Sequence, residues 1–238
     1  MPRCSRPDDT PASPIAVPEA SALLRELGAR WAFADTLEYR SQAVLRHQGE
    51  GRVILQTWAR LRRPGRARLV FSGSQPEACR VRVCDGTILY DRARGPNQPT
   101  TRARFGGALT QYIAHPLDTA SYLVEQFFSR APFWPPADWG MDSANENTPV
   151  RLRAARVAAG PGKRDAFQIT LSRGLSRDTL TLDARTFAPL EIVRFGVHGG
   201  LAQELLRETV TTIRLNVPLP DGLFAWTRDD EAGAFRER

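Results

Sequence analysis

Between Trp58 and Asp91 apolar and polar residues alternate in short runs separated by turn residues. In residues 66–72, Arg66, Arg68 and Val70 fall on one side and Ala67, Leu69 and Phe71 on the other, the period of two that marks a half-buried strand. Residues 79–84 repeat the pattern, with Arg80 and Arg82 set against Val81 and Val83. The basic corner Arg62-Arg63-Pro64-Gly65 precedes the first of these strands. Asp85-Gly86 leads into residues 87–91 and is a hairpin signal, because glycine supplies the positive φ that a tight primed turn requires. The stretch predicts an antiparallel meander with a basic outer face and an apolar inner one.

Outward from this meander the same logic gives the other elements. Residues 1–17, rich in Pro, Ser and Asp and without an apolar h-region, read as a disordered leader rather than a signal peptide. Pro18-Glu19 opens a helix over 20–33, where Leu23, Leu24, Leu27 and Trp31 recur at helical spacing and form a core-facing stripe. Strands are expected over 36–45 and 52–61, with Trp58 and Ile54 on the more polar side of the second, so part of that side should be covered too. A short edge strand over 100–104 is followed by helical patterns at 108–113 and 116–129, the place for a lid, and by a Pro-rich loop over 131–149 that carries Phe133, Trp134, Trp139 and Met141. A second run of strands covers 150–157, 166–173, 178–183, 190–198 and 204–215, with Gly-rich turns between them. The closing segment, 216–224, is extended, with Phe224 and Trp226 as plugs for the end of the sheet. Residues 229–238 read as a charged tail, leaving 18–228 as one domain.

Composition adds a bias without a chemistry. The 238 residues carry a net charge of +7, and Lys163 is the one lysine among their 33 basic residues. Such a balance suits an acidic partner or simply reflects arginine usage. His47, His115 and His198 are scattered outside any metal-ligand spacing, and no serine sits in a nucleophile elbow. Gly160-Pro161-Gly162-Lys163 lacks the flanking residues of a phosphate loop, Asp178 and Asp183 fall on opposite faces of one strand, and Asp229-Asp230-Glu231 reads as a solvated run. Cys4, Cys79 and Cys84 form no closed disulfide set and read as thiols. The aromatics near the arginine-rich strands follow the apolar alternation, which argues against a nucleic-acid surface. No enzyme activity, cofactor or metal is expected.

A fold class follows: mainly β with helical insertions (α+β), a curved antiparallel sheet of about ten strands that must close, split or curl. Curled into a half-open barrel, it would line a hollow with its apolar alternates, and helices would cover it. Such a hollow can hold an acyl chain through water displacement alone, at about 0.8 kcal/mol per buried methylene. The candidates for its lining and lid are Trp58, Leu69, Phe71, Leu89, Leu123, Phe127, Trp134, Phe167 and Ile169.

The order Arg63-Pro64, Arg66, Arg68, Asp85-Gly86 and Leu89-Tyr90 resembles the outer-membrane lipoprotein carrier (LolA-like) superfamily. Leu182-Asp183 leading to Pro189-Leu190-Glu191-Ile192, and Leu215-Asn216-Val217-Pro218 closing with Leu223-Phe224, fit the same pattern, so the likeness runs from about residue 20 to 226. The resemblance implies a periplasmic or cell-envelope protein that binds a lipid or the acyl group of a lipoprotein as a carrier or chaperone, with a membrane protein as a further partner. It also implies that an arginine of the early strands governs a lid, for which Arg60, Arg63, Arg66 and Arg68 are the candidates. The alternative within the same resemblance is an envelope sensor or scaffold that acts through a protein partner and carries no lipid.

Overall fold

The computed structural model describes residues 18–47, 51–74, 79–93, 97–104, 127–128, 151–159, 164–173, 176–198 and 201–231. One helix, α1 (Ala20–Ala32), precedes β1 (Thr36–His47), β2 (Gly51–Arg62), β3 (Arg66–Gly73), β4 (Arg80–Asp85), β5 (Ile88–Ala93) and β6 (Thr101–Arg104). After the 105–150 connection come β7 (Arg151–Ala159), β8 (Arg164–Arg173), β9 (Ser176–Asp183), β10 (Pro189–His198) and β11 (Leu201–Leu215). A 3-10 turn (Asp221–Phe224) and a single helical turn (Arg228–Glu231) follow.

All eleven strands form one open antiparallel sheet in the order β6-β5-β4-β3-β2-β1-β11-β10-β9-β8-β7. It is two meanders joined where the first strand pairs with the last, Leu37 opposite Leu215 and Ala43 opposite Glu208. The outermost strands, β6 and β7, are exposed along most of their length and carry Arg102, Arg104, Arg151, Arg153 and Arg156. Charge on an edge discourages pairing with another chain, which accounts for part of the arginine bias.

The β4–β5 turn is the one the sequence predicts. Gly86 has φ +102°, and the Asp85 carboxylate accepts from the backbone N–H of Thr87 (2.7 Å) and Ile88 (2.8 Å). At the β10–β11 bulge a Cβ on Gly196 would lie 2.5 Å from Leu205 Cδ1, so glycine there makes room for the bulged leucine.

One apolar cluster spans the inner face. It takes Leu23, Leu24, Leu27 and Trp31 from α1, Leu37, Tyr39 and Ala43 from β1, Leu69 and Phe71 from β3, Cys84 and Leu89 from β4 and β5, and Ile169, Leu171, Leu180, Leu182 and Ile192 from β8–β10. A smaller cluster on the outer face joins Trp58, Val70, Val81 and Val83, with Trp226 packed on it.

Two expectations need correction. Arg80 and Arg82 do not extend the basic outer face: Arg82 lies opposite Leu69 and Arg80 opposite Phe71, so both share the inner face, and Val81 and Val83 turn outward. The cause is the chain that follows β11, which covers the outside of β2–β5 with Trp226 and so needs apolar residues beneath it. The charged stretch at 229–231 is not simply solvated either, because Asp230 is 1% exposed and docks on β3. Residues 232–238, the leader 1–17, the predicted helix 108–113 and the loop 131–149 lie outside the described residues.

Candidate ligand-binding face

Of the predicted lining residues, Leu69, Phe71, Leu89, Phe127 and Ile169 are buried together in the inner cluster, with Phe167 packed against it. Phe127 and Phe128 are helical and meet edge to face at 5.2 Å. Leu123 and Trp134 fall outside the described residues. Trp58 does not line the hollow: it lies on the outer face, the more polar side of β2 on which the alternation placed it. There its ring is held between the guanidinium groups of Arg60 (3.8 Å) and Arg40 (4.4 Å), beside a groove of about 230 Å³. β2 alternates, so Trp58 and Leu55 or Ala59 cannot share a side, and only the latter two belong to the inner cluster.

The four candidate arginines separate clearly. Arg60 pairs with Glu38 at 3.4 Å, Arg66 with Asp221 at 2.9 Å, and Arg68 with Asp230. All three sit on the outer face. Arg63, in the β2–β3 corner beside a cis peptide to Pro64, instead donates to the backbone carbonyls of Trp31, Ala32 and Ala34 at the end of α1 and of Phe127, and covers the Phe127 ring at 4.6 Å. A helix ends with orphan carbonyls, and a planar guanidinium with five N–H groups is suited to several at once. Among these four, Arg63 is the one that ties the helix to another segment over the sheet.

Polar groups on the inner face escaped the sequence reading. Asp91 receives both Arg80 (2.7 Å) and Arg82 (3.2 Å), and Asp178 pairs with Arg194 at 3.4 Å. Burial pushes the Asp178 carboxyl up to about 6, with Arg194 pulling it back only in part. Glu208 is completely buried and accepts a hydrogen bond from the Tyr39 hydroxyl; burial raises its carboxyl, and hydrogen bonds from Ser41 and Tyr39 offset this only in part. The signal for Glu208 was present, since Leu206, Glu208 and Val210 share one side of β11 and a glutamate between two aliphatics on an inward face is anomalous.

On the outer face the C-terminal segment is fastened by charge and by rings. Asp221 takes Arg62 and Arg66, Trp226 stacks on Tyr90 at 5.3 Å, and Trp226 Nε1 donates to Glu231 at 2.6 Å. Asp230 takes two N–H donors from Arg68, and Thr227 donates to it as well. Burial alone would raise Asp230, but these hydrogen bonds outweigh it and hold the carboxyl below its ordinary range. Cys79 and Cys84 are buried thiols outside any disulfide, and burial pushes the Cys84 thiol up. Among the described residues no group of three or more His, Cys, Asp or Glu side chains could hold a metal, and no helix is long and apolar enough to cross a membrane.

No protein-family model matches this chain, and no curated protein matches it. Solved structures do. A LolA superfamily protein from Nitrosomonas europaea is 12% identical over 88% of this chain and 98% of its own, with a TM-score of 0.37. LprF from Mycobacterium bovis is 11% identical over 86% of this chain and 97% of its own, with a TM-score of 0.41. MucB is 17% identical over 87% of this chain with a TM-score of 0.42, and the chain covers 62% of MucB. A protein domain from Vibrio parahaemolyticus assigned to outer membrane lipoprotein sorting is 9% identical over 90% of this chain and 97% of its own, with a TM-score of 0.33.

Proposed function

We infer that this chain binds an acyl chain in the hollow of a curled half-barrel and serves as a lipid or lipoprotein carrier of the cell envelope. The observation that carries the reading is a mismatch of dimensions. Eleven strands at about 4.8 Å spacing make a sheet roughly 48 Å wide, while a 13-residue helix is about 20 Å long. Its inner face carries one apolar cluster from β5 to β8, interrupted by the paired charges of Asp91 and Asp178, and α1 and the Phe127–Phe128 turn are the described helical residues packed on it. An open sheet of this width curls, and the hollow so formed has more apolar lining than α1 can cover. In this reading Arg63 is the lid latch: it holds the end of α1 to Phe127 when the hollow is closed and lets go when cargo enters.

The inner and outer tryptophans provide the test. In variants keeping one tryptophan each, a brominated fatty acid should quench Trp31 saturably and leave Trp58 unquenched, because the two rings lie on opposite faces of the sheet. Absence of uptake, or quenching of Trp58 instead of Trp31, would overturn the reading. A sensor or scaffold whose hollow is filled by its own side chains gives the first of those results.

A further inference from the structure

The outer face carries a groove that the carrier reading does not use. Arg40, Trp58 and Val70 stand opposite one another on β1, β2 and β3, and Gln42, Gln56 and Ser72 form the next row. Thr211 of β11 adds to the wall, and none of the lining residues is acidic. The space is about 230 Å³, room for a small polar ligand rather than for a water or two.

Charge around the groove is unbalanced. Glu38 is shared by Arg60 (3.4 Å) and Arg214 (3.8 Å), and Arg68 is taken by Asp230. Arg40 has no carboxylate partner among the described residues; its guanidinium lies 4.4 Å from the centre of the Trp58 ring. Trp58 itself is 8% exposed, and its Nε1–H is buried without an acceptor. Buried donors in native proteins are nearly always paired, so an orphan beside an unpaired cation points to an acceptor from outside the chain. Arg40 and Arg68 also act on Arg60 as like charges, a repulsion that a bound anion would relieve.

We propose that Arg40, Gln42, Gln56 and Ser72 form a binding site for a phosphate monoester on the outer face, with the Trp58 indole as its floor. The site is on the opposite side of the sheet from the hollow and is independent of the carrier reading. A guanidinium meets phosphate oxygens through paired N–H donors, and the carboxamides and the hydroxyl add uncharged donors from the next row. The anion draws Arg40 off the ring and so brings an oxygen within reach of the buried indole N–H. A planar carboxylate has fewer acceptor positions to offer donors spread over two rows and three strands. The esterified part occupies the volume of the groove that free phosphate leaves empty.

The experiment follows the Trp58 indole N–H of the isotope-labelled full chain by NMR, the signal being identified by its loss in Trp58→Phe. Glycerol 3-phosphate should shift this signal saturably, binding about threefold more tightly than inorganic phosphate and about tenfold more tightly than succinate. Arg40→Gln should weaken binding about tenfold or more, the effect of losing charge-assisted hydrogen bonds, and Arg40→Lys should recover a part. Arg153→Gln, on the edge strand β7, should leave it unchanged. Sedimentation with phosphatidate-containing phosphatidylcholine vesicles that Arg40→Gln abolishes assigns the ester to a lipid head group; without it, binding of glycerol 3-phosphate assigns a soluble ester. The proposal is overturned if glycerol 3-phosphate leaves the indole signal in place, or if succinate or inorganic phosphate binds as tightly. Equal weakening by Arg153→Gln and Arg40→Gln would also overturn it, as the mark of diffuse attraction to a basic surface. The comparison of ligands on the native protein decides the matter even if Arg40→Gln does not fold.

Discussion

Arg63 donates to the backbone carbonyl of Phe127 and lays its guanidinium over the ring of the same residue, 4.6 Å from the centroid. The same side chain takes the carbonyls of Trp31, Ala32 and Ala34, so one residue of a β-corner closes the last turn of α1 and pins a second helical segment to it. Hydrogen bonds from a charged donor contribute about 1.5–3 kcal/mol each, and they are not additive when they share one group. Arg63→Ala should therefore destabilise the fold by about 3 kcal/mol in urea denaturation, and should speed amide exchange at the end of α1 more than in β1. Arg63→Lys should recover only a part, because an ammonium cannot reach this spread of acceptors. Equal stability of all three proteins would show that the corner is held by other contacts.

A second prediction concerns the buried pair of Arg68 and Asp230. Breaking a buried pair typically costs about 3–5 kcal/mol, because the survivor keeps its charge without its partner. The two losses should be unequal here. Asp230 retains Thr227 as a donor when Arg68 is removed, whereas Arg68 loses both of its hydrogen bonds when Asp230 is removed and remains near Arg60. Asp230→Ala is expected to cost more than Arg68→Ala, and Arg68→Met/Asp230→Leu to recover much of either loss. A double-mutant cycle by urea denaturation measures this, and strict additivity of the two single changes would refute the coupling.

The charged run at 229–231 shows how far alternation and composition reach. The first helix, the β1–β5 meander and the Asp85-Gly86 turn were legible because each depends on local pattern: a helical stripe, a period of two, a residue tolerant of positive φ. The face of β4 was not. Val81 and Val83 alternate with Arg80 and Arg82 whichever way the strand is turned, and only the pairing with β3 decides which set goes inward. The alternation put Trp58 on the more polar, partly covered side of β2, as the structure has it; counting it among the lining residues as well took an aromatic as a mark of burial without asking on which side. Arg63 could be placed among four candidates but not selected, because its partners Trp31 and Phe127 are distant in sequence and meet it only in the fold. Asp230 looked solvated because it stands in a run of charged residues; its buried partner Arg68 comes from another strand.

Asp178 and Asp230 should give opposite pH dependences. Asp178 is raised by burial from 3.8 to about 6 in the folded state. Its contribution to stability is thus fully present below pH 3.8 and is lost as pH rises through about 6. The loss is on the order of 3 kcal/mol if the whole shift is expressed. Asp230 is lowered instead, so its contribution is present above the ordinary value of 3.8 and is lost as pH falls below it. Urea midpoints measured from pH 3.5 to 7.5 on the native protein, Asp178→Asn and Asp230→Asn would separate the two. Relative to Asp178→Asn the native protein should lose stability between about pH 4 and 6; relative to Asp230→Asn it should lose stability only on acidification. A flat difference for Asp178 would mean that Arg194 keeps it ionised despite its burial.

The C-terminal segment covers a patch that cannot stand in water uncovered. Trp226 stacks on Tyr90 with an interplanar angle of 14° and packs on Trp58, Val70, Val81 and Val83, of which Val81 and Val83 are wholly buried. Trp226→Ala should cost about 2 kcal/mol, the scale for a large side chain that is only partly covered, and should leave the protein monodisperse if it was so before. Removal of residues 221–238 is a different perturbation. It strips Asp221 from Arg62 and Arg66, Asp230 from Arg68 and the indole from the valines at once, leaving an apolar floor ringed by unpaired arginines. Exposed apolar patches of this kind drive association, so the truncated chain should self-associate in light scattering at concentrations where the full chain and Trp226→Ala do not. A truncated chain that stays at the full chain's oligomeric state and midpoint would mean that the outer face needs no strap, and that Val81 and Val83 face outward for another reason.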